Sequence, residues 1–128
     1  MSPIMRQKKK RAASAPGITP ENKRARVAEA IRSIPKGRVS TYGGVAKAAG
    51  LPGASRYVAA VLRRAYGLPW QRVLGSGGHI KLTGDSAIEQ RLRLEAEGVR
   101  FRGKRVDMKA HEWKFGRSSK ARLARQNI

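Results

Sequence analysis

Apolar residues recur at helical spacing near the start of the chain. Val27, Ala30, Ile31 and Ile34 fall on one face. Thr19-Pro20-Glu21 precedes them with an N-cap, a proline at the first helical position and an acid in the first turn. The spacing predicts a helix from Pro20 to Ser33 or Ile34, stopped by Pro35 and Gly37. Arg38-Val39-Ser40 reads as a short extended piece. Ser40 or Thr41 then caps a short helix with Val45, Ala46 and Ala49 on its apolar face, and Gly50 sits just past its end. Leu51-Pro52-Gly53 is a turn. Ala54 to Arg64 forms the next helix, burying Val58, Val61, Leu62 and Ala65 and turning Arg56, Ala59, Ala60, Arg63 and Arg64 outward.

Further on the pattern shortens. Val73-Leu74 and Ile80 to Leu82 flank a glycine-rich turn, Gly75 to Gly78, and are expected to pair as a hairpin, with His79 facing solvent. Asp85 or Ser86 caps a helix lined by Ile88, Leu92 and Leu94, and Gly98 ends it. Its Glu89, Glu95 and Glu97 suit surface ion pairs with Arg91 and Arg93. Val99 to Arg102 alternates as a strand, Gly103-Lys104 turns, and Val106 and Met108 return. Trp113 and Phe115 are expected to close the core. No internal repeat is visible.

Two short helices joined by a tight turn containing glycine describe a helix-turn-helix. The outward face of the second mixes alanines with arginines. Small residues allow close approach to a groove, and arginines meet phosphates or base edges.

Charge strengthens this reading. The 128 residues carry 29 Lys and Arg against 8 Asp and Glu, a formal charge of +21. Residues 1–19 hold five of the bases and no acid, and residues 117–128 hold four and no acid. The middle therefore keeps +12 by itself, which points to a polyanionic partner, nucleic acid before an anionic membrane surface. The expected organisation is a disordered basic arm (1–19), one domain (20–116) and a basic tail (117–128). No apolar run approaches the roughly 20 residues of a membrane span, and the basic N-terminus lacks the apolar stretch of a signal peptide. The expectation is a soluble, cytoplasmic, nucleoid-associated protein that does not engage membranes.

The chemistry is narrow. There is no cysteine, which removes disulfides, thiolate metal sites and cysteine nucleophiles. With only His79 and His111, no metal site is expected, and no phosphate-cradling glycine loop or cofactor motif appears. The most unusual stretch is Leu68-Pro69-Trp70-Gln71-Arg72-Val73, a rigid step followed by a large aromatic and a basic residue. Trp70 reads either as a core aromatic or as a pocket wall.

Several stretches carry a family resemblance. They are Ile34-Pro35-Lys36-Gly37-Arg38-Val39-Ser40-Thr41-Tyr42-Gly43, Ser55-Arg56-Tyr57-Val58, Pro69-Trp70-Gln71-Arg72-Val73, Leu74-Gly75-Ser76 and Leu94-Glu95-Ala96-Glu97-Gly98-Val99. In order and spacing, residues 21–116 resemble the DNA-binding domain of the O6-alkylguanine-DNA alkyltransferases. The fold this implies is mainly α with a short β-hairpin, a winged-helix-like helix-turn-helix domain. The family's active-site motif is Pro-Cys-His-Arg-Val, and its Cys accepts the alkyl group. Here Trp70 stands in place of the Cys and Gln71 in place of the His. The resemblance is thus to the alkyltransferase-like branch, which binds alkylated DNA without repairing it and passes the lesion to nucleotide excision repair.

The resemblance also implies roles. Arg56 enters the duplex in place of the extruded base, and Tyr42 rotates the 3′ phosphate of the target nucleotide. Thr41, Ser55, Tyr57, Ala59 and Arg63 join them in the expected DNA contact. The expected lesion pocket is Trp70, Tyr42, Pro69, Arg72 and Lys81, with Lys81 the nearest cation to where some relatives place a stacking arginine. Glu97 matches the glutamate of the family's Cys-His-Glu relay. The family's asparagine before the active-site motif has no counterpart in Arg63-Arg64-Ala65-Tyr66-Gly67. The implied protein is a monomeric, non-enzymatic reader of double-stranded DNA carrying O6-alkylguanine, partnered by excision-repair proteins. The alternative is a general basic helix-turn-helix protein, nucleoid-associated or regulatory, without lesion preference.

Overall fold

The computed structural model of the chain describes residues 19–116. The expected arm at 1–19, save Thr19, and the tail at 117–128 lie outside the described residues. α1 (Pro20–Arg32) begins where the capping pattern places it: the Thr19 hydroxyl accepts the Asn22 N–H at 3.0 Å. It ends at Ser33, whose hydroxyl donates to the Ala30 carbonyl at 2.7 Å. β1 (Ser40–Thr41) leads directly into α2 (Tyr42–Ala48), and the Thr41 side chain caps it by accepting the Gly44 N–H at 2.9 Å. Gly50, at φ +80°, supplies the left-handed residue that ends α2 and redirects the chain into α3 (Ser55–Arg64). The predicted helix-turn-helix is therefore α2 and α3.

These three helices bury one apolar cluster containing Val27, Ile31, Ile34, Val45, Val58 and Val61. Trp113 and Phe115 pack against it, as expected. A fully buried Ile or Val contributes roughly 1.5–3 kcal/mol relative to exposure, so α1 is fixed to the helix-turn-helix by its apolar stripe. A second cluster of Val39, Leu74, Leu94, Val99 and Val106 joins the remaining elements.

Those elements are β2 (Val73–Leu74), α4 (Gly84–Ala96), β3 (Phe101–Arg102), β4 (Arg105–Val106) and the single turn α5 (Met108–His111). β2 lies parallel to β1, with Ser40 beside Val73 and Thr41 beside Leu74. On its other side β1 is held by the C-terminal segment, where Val39 N–H donates to the His111 carbonyl at 2.9 Å and Trp113 N–H to the Val39 carbonyl at 2.7 Å. The His111 ring adds two contacts at 3.1 Å, accepting the Arg100 N–H at Nε2 and placing Nδ1 against the Gly37 carbonyl.

Several expectations are corrected. Val73-Leu74 does not pair with Ile80 to Leu82. Both β2 residues are fully buried, which suits a strand covered on both faces in a parallel ladder better than a half-exposed hairpin arm. The other expected pairing does form, as β3–β4, antiparallel around Gly103-Lys104. Met108 does not extend its returning strand; it opens α5, capped by Asp107. α4 starts at Gly84, ahead of Asp85 and Ser86, with Thr83 as an N-cap that makes no side-chain hydrogen bond. Ile88 and Leu92 do not face the core; Gln90 and Leu94 do. The ion pairs Arg91–Glu95 (3.1 Å) and Arg93–Glu89 (2.7 Å) form as expected on its exposed side, but Glu97 pairs with Arg72 at 2.9 Å and not with Arg91 or Arg93. No helix among the described residues is long and apolar enough to cross a membrane.

Candidate nucleic-acid interface

α3 carries the outward basic face that its sequence pattern predicts. Its N-cap is Ala54, which makes no side-chain hydrogen bond, so the first-turn N–H groups of α3 have no side-chain acceptor there. A groove of about 870 Å³ runs over this end, lined by residues that include Thr41, Tyr42, Ser55, Arg56, Ala59 and Arg63 on one side and Ser76, Gly77 and Lys81 on the other. Arg56 and Arg63 are both exposed. Lys81 runs across Gly75 so closely that a Cβ there would stand 2.6 Å from its Cγ and Cδ. A side chain at position 75 would thus displace the lysine from the groove.

A smaller cavity of about 370 Å³ adjoins this groove and shares Tyr42, Ala59, Arg63 and Leu82 with it. Trp70, Leu62, Ala65, Ser86 and Gln90 complete the wall. Trp70 opens a 3₁₀ turn, Trp70–Arg72, between the Leu68-Pro69 step and β2. Its ring lies under the Arg93 guanidinium at 5.5 Å, a cation–π contact. Burial pushes the Tyr42 phenol above its ordinary value, against a smaller opposing pull from Arg63. The hydroxyl is therefore protonated at neutral pH and available to donate to a phosphate oxygen.

The turn carrying Trp70 is held from below. The Arg72 guanidinium grips the Glu97 carboxylate, with Nε donating to Oε1 at 3.0 Å and Nη2 to Oε2 at 2.9 Å, and its Nη1 donates to the Ile34 carbonyl at 2.9 Å. Gln71 Nε2 donates to the same carboxylate at 2.8 Å, and the Gly37 N–H approaches it at 3.4 Å. Gln90, 1% exposed, reaches up from α4 and bonds the Gln71 and Val73 carbonyls at 3.1 and 3.0 Å. Pairing across both edges of the turn fixes where the indole stands.

Burial of Glu97 works to raise its pKa, but the hydrogen bonds from Arg72, Gln71 and Gly37 and the Arg72 charge outweigh it, holding the carboxyl below the usual range. A depressed carboxylate stabilises the fold fully above its unfolded pKa, about 4.3, and loses that contribution as pH falls through the lower folded value. The melting temperature of the Glu97→Gln variant is therefore expected to decline less than that of the parent between about pH 4.3 and the acid limit of folding. Parallel melting curves in that window, followed by circular dichroism, would contradict the assignment.

The sequence-derived sites thus separate. Tyr42, Thr41, Ser55, Arg56, Ala59, Arg63 and Lys81 share the groove, and Trp70 and Tyr42 share the cavity. Tyr57 lies on the α1 side of α3, with the Lys23 ammonium 4.7 Å from its ring centre, and lines a different hollow with Arg24 and Arg64. Pro69 and Arg72 are not among the cavity-lining residues; Arg72 is committed to Glu97. Leu62, Ala65, Leu82, Ser86 and Gln90 were not expected in the cavity. Only the outward-facing polar residue Ser86, near a predicted helix start, offered any signal for it. Among the described residues, no three His, Cys, Asp or Glu side chains come together as a metal-holding group.

A recognition helix beside a basic groove and an aromatic cavity defines a helix-turn-helix nucleic-acid-binding domain. The model of the 6-O-methylguanine DNA methyltransferase DNA-binding domain matches residues 22–99, and the chain belongs to that family. A DNA base-flipping protein of Escherichia coli (strain K12) is 44% identical over 94 residues, spanning 70% of this chain and 73% of that protein. Alkyltransferase-like protein 1 of Schizosaccharomyces pombe is 42% identical over 79 residues, 58% of this chain and 73% of that one. The structure of S. pombe Atl1 bound to damaged DNA containing O6-carboxymethylguanine matches with a TM-score of 0.67 at 29% identity, covering 77% of this chain and 100% of Atl1. The Mycobacterium tuberculosis OGT–DNA complex matches at 0.53 and 34% identity, over 58% of this chain and 48% of that one. The mainly helical fold with a short sheet is the one shared with these relatives.

Proposed function

We propose that the chain is a non-enzymatic sensor of O6-alkylguanine that flips the damaged base into the Trp70 cavity and marks it for nucleotide excision repair. The observation that carries this reading is the adjacency of the two hollows: a basic groove holding Arg56 and Arg63 adjoins a cavity walled by Trp70 and Tyr42. A volume of about 370 Å³ falls in the range of roughly 300–1,000 Å³ typical of small-ligand sites.

In this reading Arg63 and the first turn of α3 take the phosphates. Extruding a base costs a few kcal/mol and is cheapest where pairing is already weakened. An O6-alkylguanine has lost its N1 proton and gained an apolar group, so it leaves the stack more readily than guanine and suits an indole wall. Arg56 fills the gap left in the stack, and the Tyr42 hydroxyl donates to the phosphate beside the flipped nucleotide. Alkyl transfer is absent because accepting the group requires a thiolate and the chain contains no cysteine. The lesion stays intact in the complex and is passed on to excision repair.

The test compares O6-methylguanine and unmodified duplexes by fluorescence anisotropy at matched salt. The lesion duplex is expected to bind at least about tenfold more tightly, a difference of about 1.4 kcal/mol, and mass spectrometry should find the protein mass unchanged after incubation. Equal affinities would leave a general basic helix-turn-helix binder. A protein gaining the alkyl mass would make the chain a transferase. Stimulated incision in a reconstituted excision reaction checks the hand-off.

A further inference from the structure

α4 exposes the residues that its sequence pattern assigns to the core. Ile88 and Leu92, one helical turn apart, are 60% and 61% exposed. With Ile80, Leu82 and Ala87 they form the apolar lining of an open groove of about 490 Å³, whose charged lining residues are Arg91, Glu95 and Lys104. Exposed apolar residues clustered in a concave surface mark interaction sites more often than isolated ones do.

We propose that this groove docks an acidic amphipathic helix of a partner protein. Shape and spacing favour a helix: a concave apolar strip with side chains one turn apart accepts the i, i+3, i+4 face of an incoming helix. Charge selects its sign. The one acid in the lining, Glu95, is held by Arg91 at 3.1 Å, and Lys104 makes no ion pair among the described residues. Arg91 is itself fixed, donating to the Gly103 carbonyl at 3.0 Å and stacking over Phe101 at 4.2 Å, so this wall is built in advance.

The rival occupants fit less well. A second copy carries the same +21, and residues 1–18 and 117–128 contain bases but no acid, so self-docking and tail-docking both bring like charges together. DNA would leave Ile88 and Leu92 without apolar cover. Leu82 belongs both to this groove and to the Trp70 cavity, so the docked helix abuts the cavity wall. The proposal does not rest on lesion binding, and its test contains no DNA.

The full chain is used to select from a displayed library of random 16-residue peptides, counter-selected on an Ile88→Ser, Leu92→Ser double variant. Both positions are exposed and the charge is unchanged, so the variant controls for attraction to a basic surface. Thermal melting of the variant within a few degrees of the parent confirms that it folds. Enriched clones are expected to be acidic with apolar residues at three- and four-residue spacing. The winning synthetic peptide should lose at least tenfold in affinity on the double variant and at least threefold on Lys104→Glu. Enrichment of basic or neutral clones, equal binding by the double variant, or no enrichment overturns the proposal. So does self-association in sedimentation velocity that the double variant abolishes, because the groove is then covered by a second copy.

Discussion

Arg56→Ala is expected to weaken binding to an O6-methylguanine duplex by about 10- to 100-fold while weakening binding to unmodified DNA only about threefold. The asymmetry follows from position. Arg56 stands exposed in the first turn of α3 and lines the groove, which shares Tyr42, Ala59, Arg63 and Leu82 with the cavity. A side chain that only touches a phosphate contributes equally to both duplexes. One that occupies a vacated base position acts only when a base has left, and its loss exposes the cost of unstacking, a few kcal/mol. Removal of residues 1–18, which spares the Thr19 cap of α1, is the contrast. Those bases can add only sequence-independent phosphate attraction, so both affinities should fall by a similar factor and the salt slope should flatten. Surface substitutions of this kind change stability by about 0.5 kcal/mol or less, so a folding defect would not account for the loss. Equal losses on both duplexes for Arg56→Ala would remove insertion from the mechanism.

Glu97→Ala carries the largest expected effect on stability. The Arg72–Glu97 pair is only 18% and 10% exposed at its side chains, and the carboxylate also accepts from Gln71. Deleting it leaves a half-buried guanidinium and an amide N–H without their acceptor. Removing one partner of a buried pair typically costs about 3–5 kcal/mol. Solvent still reaches Arg72, so about 2–3 kcal/mol is expected here. For a domain of this size that is a fall in Tm of about 10–20 °C. Glu97→Gln keeps an acceptor and should fall between parent and alanine. The turn carrying Trp70 hangs on this carboxylate, so lesion binding should weaken beyond the unfolded fraction when measured well below the melting point. An alanine variant that melts within 2 °C of the parent would show that the Ile34 carbonyl and water hold Arg72 well enough alone.

Much of this was legible along the chain because the signals are local. Thr19-Pro20, Thr41 and Gly50 each act on the nearest backbone N–H or φ angle, so the bounds of α1, α2 and α3 follow from adjacent residues. The outward set Arg56, Ala59 and Arg63 is one side of one helix, and helical periodicity alone assigns it. The misjudged elements depend on partners far away in sequence. Val73-Leu74 could pair with either neighbour, and only burial on both faces, Val73 in the first cluster and Leu74 in the second, selects the parallel pairing with β1. On α4, apolar spacing points to Ile88 and Leu92, but the second cluster has room for Leu94 alone, and the buried carbonyls of Gln71 and Val73 require a donor there, which Gln90 supplies.

The stretch around Trp70 shows the same division. The sequence by itself determined the missing cysteine, the basic charge, the helix-turn-helix and the family motif, because each is a matter of residue type and short spacing. It could not decide what the indole faces. That depended on α3, α4 and the Leu82 segment converging on one cavity, while Arg72, its near neighbour in the chain, turned away to meet Glu97. A cavity is the space between elements, and its lining is set by how they pack, which no single stretch of the chain encodes.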